Sequence, residues 1–174
     1  MEVSLELIKD LRNATLASIA DCKNALVETK GDLHKAIDVL RKRGLEIAAK
    51  KIGRAAKEGR IESYIHQGSK MGVLLEVNCE TDFVAKNPDF CQFTKDVAMQ
   101  VAACNPQYLK KEDVPVEIIE QEKDKDKFYK AHCLLEQPFV KDPKLTINEC
   151  LGSLVGKMGE NIVIRKFMRY KIGE

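Results

Sequence analysis

A chain of 174 residues makes one ordinary domain or two small ones, long enough to bury a core without disulfides or a metal. Hydrophobic residues at 44% and charged residues at 32%, with only 5 Pro and 10 Gly, exclude a disordered or fibrous protein. A formal charge of +2 argues against a dedicated nucleic-acid binder, which would be more continuously basic.

The first third reads as helices. Leu5, Ile8 and Leu11 recur every three residues behind Ser4, a cap candidate, and Thr15 closes the connecting turn. Ile19, Cys22, Ala25 and Leu26 form a second periodic run, stopped by Lys30-Gly31-Asp32, where Gly31 takes a positive φ and Asp32 caps the next start. Leu33, Ala36, Ile37 and Leu40 share one face of a third helix that closes at Gly44. Residues 1–45 therefore make a compact three-helix unit. Residues 46–59 follow as a basic, mostly helical connector with an Ala-rich face (Ile47, Ala48, Ile52, Ala55, Ala56). The wider run 41–60 carries eight Lys and Arg against Glu46 and Glu58. It is a solvated connector or a patch for an acidic partner, and a ribosome- or nucleic-acid-binding module built on it is the main alternative function.

After Gly59 the period becomes two. Ile61, Ser63 and Ile65 alternate with Glu62, Tyr64 and His66, residues 67–70 turn, and Met71 to Val77 is apolar enough for a central strand. Asn87-Pro88 caps and opens a helix bearing Phe90, Phe93, Val97, Val101 and Cys104, which ends before Asn105-Pro106. Val114-Pro115 opens another helical stretch with a charged run to Lys127. Thr146 caps a helix with Ile147, Cys150, Leu151, Leu154 and Val155, and residues 162–170 form a long terminal strand. Residues 60–174 thus read as an α+β core with a small antiparallel sheet.

Enzyme chemistry finds no support in this pattern. The phosphate-loop, dinucleotide, nucleophile-elbow and zinc-protease motifs are absent, no cofactor is indicated, and the six cysteines contain no C-x-x-C. His132 and Cys133 are adjacent, so on a regular element they point apart, with no orienting Asn or Asp indicated nearby. A charged N-terminus, no apolar span near 20 residues and dispersed cysteines fit a cytoplasmic protein without membrane contact. The unusual local feature is Asn78-Cys79-Glu80-Thr81-Asp82-Phe83-Val84-Ala85-Lys86-Asn87, between strand and helix. Thr81 or Asp82 caps a short turn there while Phe83 fills the core, or Phe83 and Asp82 project as an aromatic wedge with a charge beside it.

Several segments resemble the bacterial elongation factor Ts family: LRNATLASIADCKNALVETKGDLHKAIDVLRKRG, YIHQGSKMGVLLEV, VNCETDFVAKN, LLEQPFVKDPK and GENIVIRKFMRYKIGE, in order along nearly the whole chain. The resemblance implies a ubiquitin-associated-like N-terminal module followed by the α+β core. It also implies a non-enzymatic guanine-nucleotide exchange factor for elongation factor Tu, the GTPase that delivers aminoacyl-tRNA to the ribosome. In the family, the T-D-F-V motif, here Thr81, Asp82, Phe83 and Val84, reaches the GTPase domain, and its phenylalanine inserts between helices and shifts one that helps hold the nucleotide's Mg²⁺. The module meets another helix of that domain, matched here by Leu11, Arg12, Ile19, Ala20 and Lys23, and the core touches a second, β-rich domain. A homodimer through the core sheet is a further expectation, since an apolar terminal strand at a sheet edge can self-pair.

Two departures from the family stand out. The first turn, Thr15-Leu16-Ala17-Ser18-Ile19, lacks the usual glycines, and residues 123–128 run straight on where relatives carry a longer helical segment with a Gly-Lys-Pro turn.

Overall fold

The computed structural model describes residues 3–15 and 17–174, so Leu16 of the first turn lies outside the described residues. The chain forms two compact units, one of residues 1–55 with 149–161 and the other of residues 56–148 with 162–174. This division returns a late helix to the N-terminal unit, an arrangement that reading the chain in order does not anticipate.

In the first unit, α1 (Leu5–Thr15), α2 (Ile19–Glu28) and α3 (Leu33–Lys51) bury Ile8, Leu11, Cys22, Ala25, Leu26, Ala36 and Leu40 against one another. Each start is capped: the Leu7 N–H donates to Ser4 Oγ, the Asp21 N–H to Ser18 Oγ and the Lys35 N–H to Asp32 Oδ1. Gly31, at φ 86°, stops α2. Thr15 is the last residue of α1 rather than the end of the turn, its hydroxyl bonded back to the Leu11 carbonyl at 2.7 Å.

The third helix does not close at Gly44 but runs on to Lys51, so the expected connector begins inside it. Gly44 is needed for another reason. A Cβ there would sit 3.1 Å from the carbonyl carbon and oxygen of Gly152, on α8 (Ile147–Met158). The two backbones touch because neither carries a side chain at the crossing. Much of the basic run is already engaged: Arg41 with Asp38, Arg43 with Glu28, Arg60 with Glu62, and Lys51 with the Gly159 carbonyl.

The second unit is built on a three-stranded antiparallel sheet in the order β1 (Glu58–Ile65), β2 (Met71–Cys79), β5 (Val163–Lys171). The apolar strand β2 is central. Its Val73, Leu75, Val77 and Cys79 are buried on the face covered by α5 (Pro88–Cys104), which contributes Phe90, Val97, Ala98 and Val101. Asn87 caps α5, Pro88 opens it and Asn105, at φ 45°, ends it.

The edge strand β1 turns an unexpected face inward. Glu62 is buried, while Ile61 and Ile65 are 71% and 64% exposed, and Leu74 of β2 with Met168 and Tyr170 of β5 extends that outward apolar face. The charged stretch after Pro115 is also broken, into α6 (Val116–Gln121) and α7 (Lys125–His132), because Asp124 caps a new start by accepting the Lys127 N–H. A small hairpin, β3 (Pro138–Phe139) with β4 (Asp142–Thr146), was not legible in sequence, its strands being short and each containing proline. Gln100 holds it to α5 by donating to the Pro138 carbonyl and accepting the Val140 N–H.

Candidate functional site

The most exposed large hydrophobic side chain among the described residues, Phe83, rises from the join between β2 and α5. Cys79, the buried last residue of β2, donates its thiol to the Thr81 carbonyl at 3.1 Å, tying strand end to loop. Thr81 has an extended backbone and caps α4 (Asp82–Ala85), its hydroxyl accepting the Val84 N–H. A helix of four residues has no stability of its own, so packing must hold it. Val84 and Ala85, each 9% exposed, provide that hold.

Support from beneath is polar. The Ala85 carbonyl accepts the Cys91 thiol at 3.6 Å, and Arg60 Nη1 donates to Cys91 Sγ at 2.7 Å. Arg60 pairs with Glu62 at 3.0 Å, and Glu62 also accepts the Thr94 hydroxyl at 3.1 Å. Glu62 therefore faces inward at little cost, because its charge is paired and hydrogen-bonded.

On this footing Phe83 is 82% exposed, so the core-filling role left open for it does not hold; Phe90 fills that interior instead. Asp82 lies beside it, its carboxylate 2.7 Å from Lys86 Nζ one helical turn on. The hydrogen bond from Lys86 holds the Asp82 carboxyl below the usual carboxylate range, and Asp82 in turn raises the Lys86 ammonium. The four signature residues thus divide their tasks: Thr81 caps, Val84 anchors, and Asp82 and Phe83 project. The sequence reading did not single out the Asp82–Lys86 pair, although its i, i+4 spacing carries the signal, whereas nothing in sequence joins Arg60 to Cys91.

In the first unit the expected surface is only partly assembled. Leu11 is fully buried among the three helices and offers nothing to a partner. Arg12, Ala20 and Lys23 are exposed, and Ile19 is 59% exposed at the start of α2. Hydroxyls shape the turn before it: Thr15 Oγ1 accepts the Ala17 N–H, and Ser18 caps α2.

The His132–Cys133 pair has no nucleophilic character. Burial, reinforced by the charges of Glu136 and Asp113, pushes the Cys133 thiol up to about 11, so it stays protonated near neutrality. Among the described residues, no group of three or more His, Cys, Asp and Glu is placed to hold a metal, and no helix is long and apolar enough to cross a membrane.

Comparison with known proteins agrees with the signature. The family model described as elongation factor TS matches residues 1–125 and 124–174. The elongation factor Ts of Caldanaerobacter subterraneus subsp. tengcongensis is 48% identical over an alignment covering 99% of this chain and 98% of the relative. That of Syntrophomonas wolfei is 49% identical over 99% and 91%, and that of Carboxydothermus hydrogenoformans 46% over 99% and 90%. These alignments run to 195 positions against a chain of 174 residues, so at least 21 positions have no counterpart here. The two matched stretches meet at Asp124 and Lys125, which locates the gap at the α6–α7 join. With the family model covering the whole chain and near-half identity along its length, the chain belongs to the elongation factor Ts family.

Proposed function

We propose that this chain is a cytoplasmic guanine-nucleotide exchange factor for the GTPase elongation factor Tu in translation elongation, and that Asp82 and Phe83 are its working wedge. The observation that carries the wedge is the side chain of Phe83, 82% exposed on a short helix that Thr81 caps and that Val84 and Ala85 bury against the core. An aromatic left in water on a rigid support is stabilised by roughly 1.5–3 kcal/mol when a pocket takes it up. The neighbouring Asp82 carboxylate is paired with Lys86, so the wedge presents this ion pair beside Phe83 to a site where Mg²⁺ and phosphates are held by electrostatics.

Exchange of this kind is catalysis by population shift and needs no covalent step, so the chain is not an enzyme in the chemical sense. The factor binds nucleotide-free GTPase better than the nucleotide-bound form, and by linkage GDP weakens the factor's binding as much as the factor weakens GDP. The exposed set Arg12, Ile19, Ala20 and Lys23 supplies a second point of attachment on the same GTPase domain.

Two copies of the chain pair through the outward sheet face. Ser63, Leu74 and Met168 lie in register across the three strands, as do Ile65, Gly72 and Tyr170, and such a cross-strand apolar face suits an isologous contact. A nucleic-acid role for residues 41–60 is less well supported, since that run has no aromatic residue and several of its cations are already paired.

Release of fluorescent GDP from elongation factor Tu, followed by stopped flow, tests the exchange reading. The intact chain accelerates release in proportion to its concentration until saturation; no acceleration at any concentration defeats the proposal.

A further inference from the structure

A wedge transmits force only as well as its mount, and the far end of α4 is held in an unusual way. The Lys86 and Asn87 N–H groups take up the Asp82 and Val84 carbonyls, as at any helix end. The Ala85 carbonyl instead accepts the Cys91 thiol at 3.6 Å, and the same sulfur accepts from Arg60 Nη1 at 2.7 Å. A guanidinium only donates and a carbonyl only accepts, so a group between them must do both, which a thiol can and a methyl cannot.

Arg60 is itself fixed. Its Nη2 lies 3.0 Å from Glu62, and the Thr94 hydroxyl lies 3.1 Å from that carboxylate and 2.9 Å from the Cys91 carbonyl. The chain of contacts therefore runs from β1 through Cys91 of α5 to the end of α4, all within the second unit. Stability does not account for it. Arg60 Nε is buried without a hydrogen-bond partner among the described residues, a cost that an apolar side chain at this position would not carry.

We propose that Arg60 and Cys91 are positioning residues for Phe83: through the Ala85 carbonyl they tie α4 to β1 and α5 and fix the direction in which the aromatic ring meets the GTPase. This rests on the wedge reading and adds to it two residues that do not touch the partner.

Variants of the full chain test it by stopped-flow release of fluorescent GDP from elongation factor Tu. Cys91→Ala is expected to lower the saturating rate at least about threefold, with the half-saturating concentration within about twofold of wild type. Cys91→Ser keeps a group that both donates and accepts, and its saturating rate stays within about twofold of wild type. Arg60→Met with Glu62→Met removes the guanidinium without leaving a buried charge unpaired, and it behaves as Cys91→Ala does. Loss of folded chain alone would raise the half-saturating concentration and leave the saturating rate unchanged.

A second readout needs no partner. The chain has no Trp, so Phe83→Trp places a single indole on the mount, where time-resolved anisotropy reports its local motion. Adding Cys91→Ala to that chain is expected to at least about double the amplitude of nanosecond motion, and adding Cys91→Ser to leave it unchanged. Unchanged motion with Cys91→Ala, or a saturating rate within about twofold of wild type, overturns the positioning role. A serine variant that falls as far as the alanine variant overturns it too, because the thiol's hydrogen bonds are then not what holds α4. If wild type itself fails to accelerate release, the exchange-factor reading has failed and a positioning role in exchange falls with it; the motion of the indole tells that outcome apart from a mount that Cys91 does not hold.

Discussion

On the proposed wedge reading, stability and function separate at Phe83. At 82% exposure it contributes little to the folded state, so Phe83→Ala should leave the melting temperature within a degree or two while costing about 2 kcal/mol or more of partner binding. A melt beside an exchange assay checks both. Asp82 carries a pH statement. Its folded-state carboxyl is depressed, so what it contributes is present above the unfolded carboxylate value near 4 and is lost only as pH falls through the lower folded value. Exchange measured from about pH 6 to 8 should therefore show no titration from this pair. Cys133 gives the opposite sign: its thiol is raised by burial from 9.0 to about 11, so the native state loses stability as pH climbs through that window. Alkaline melts of Cys133→Ala should lack this part of the decline. The signature motif pointed to Asp82 and Phe83, because a polar cap followed by an aromatic between strand and helix is a local pattern. Leu11 reached the partner surface only through the family resemblance, whereas its helical spacing put it on the apolar face of α1, where α2 and α3 bury it.

At the scale of elements, local signals placed most helix ends and failed where distant backbone decides. Ser4, Asp32, Asn87 and Asn105 mark ends by their own chemistry, and each does so in the structure. Gly44 resembles an end but sits mid-helix, because its purpose is the crossing with Gly152, more than 100 residues away in the chain. Gly44→Ala must push backbone against backbone, and we expect a loss of about 1–3 kcal/mol, read as a lowered melting temperature. Gly59→Ala should be worse: at φ 141° an L side chain is strained, and its Cβ would overlap the Val77 carbonyl across the β1–β2 pair. The inverted face of β1 was equally hidden. Alternation shows that two faces differ, but only Arg60, Cys91 and Thr94 together make it possible for Glu62 to be the inward one.

For the whole molecule, the gap of at least 21 positions relative to its relatives falls where Asp124 starts α7 directly after α6, so the chain closes the gap with a capped turn and keeps the elements on either side. If the outward sheet face pairs two copies, Leu74→Glu should convert a dimer into a monomer by light scattering, with the fold retained because Leu74 is half exposed. The resembling segments pointed to the family and the order of helical and strand periods to the α+β class, yet the return of α8 to the N-terminal unit needed the three-dimensional structure. The central claim is that a rigidly mounted Phe83, with Asp82 beside it, opens the nucleotide site. It is tested most directly by the saturating rate of GDP release from elongation factor Tu with wild type and with the Asp82→Ala, Phe83→Ala double variant. We expect the variant to fold normally and to release GDP more than about tenfold slower; equal saturating rates would contradict the claim.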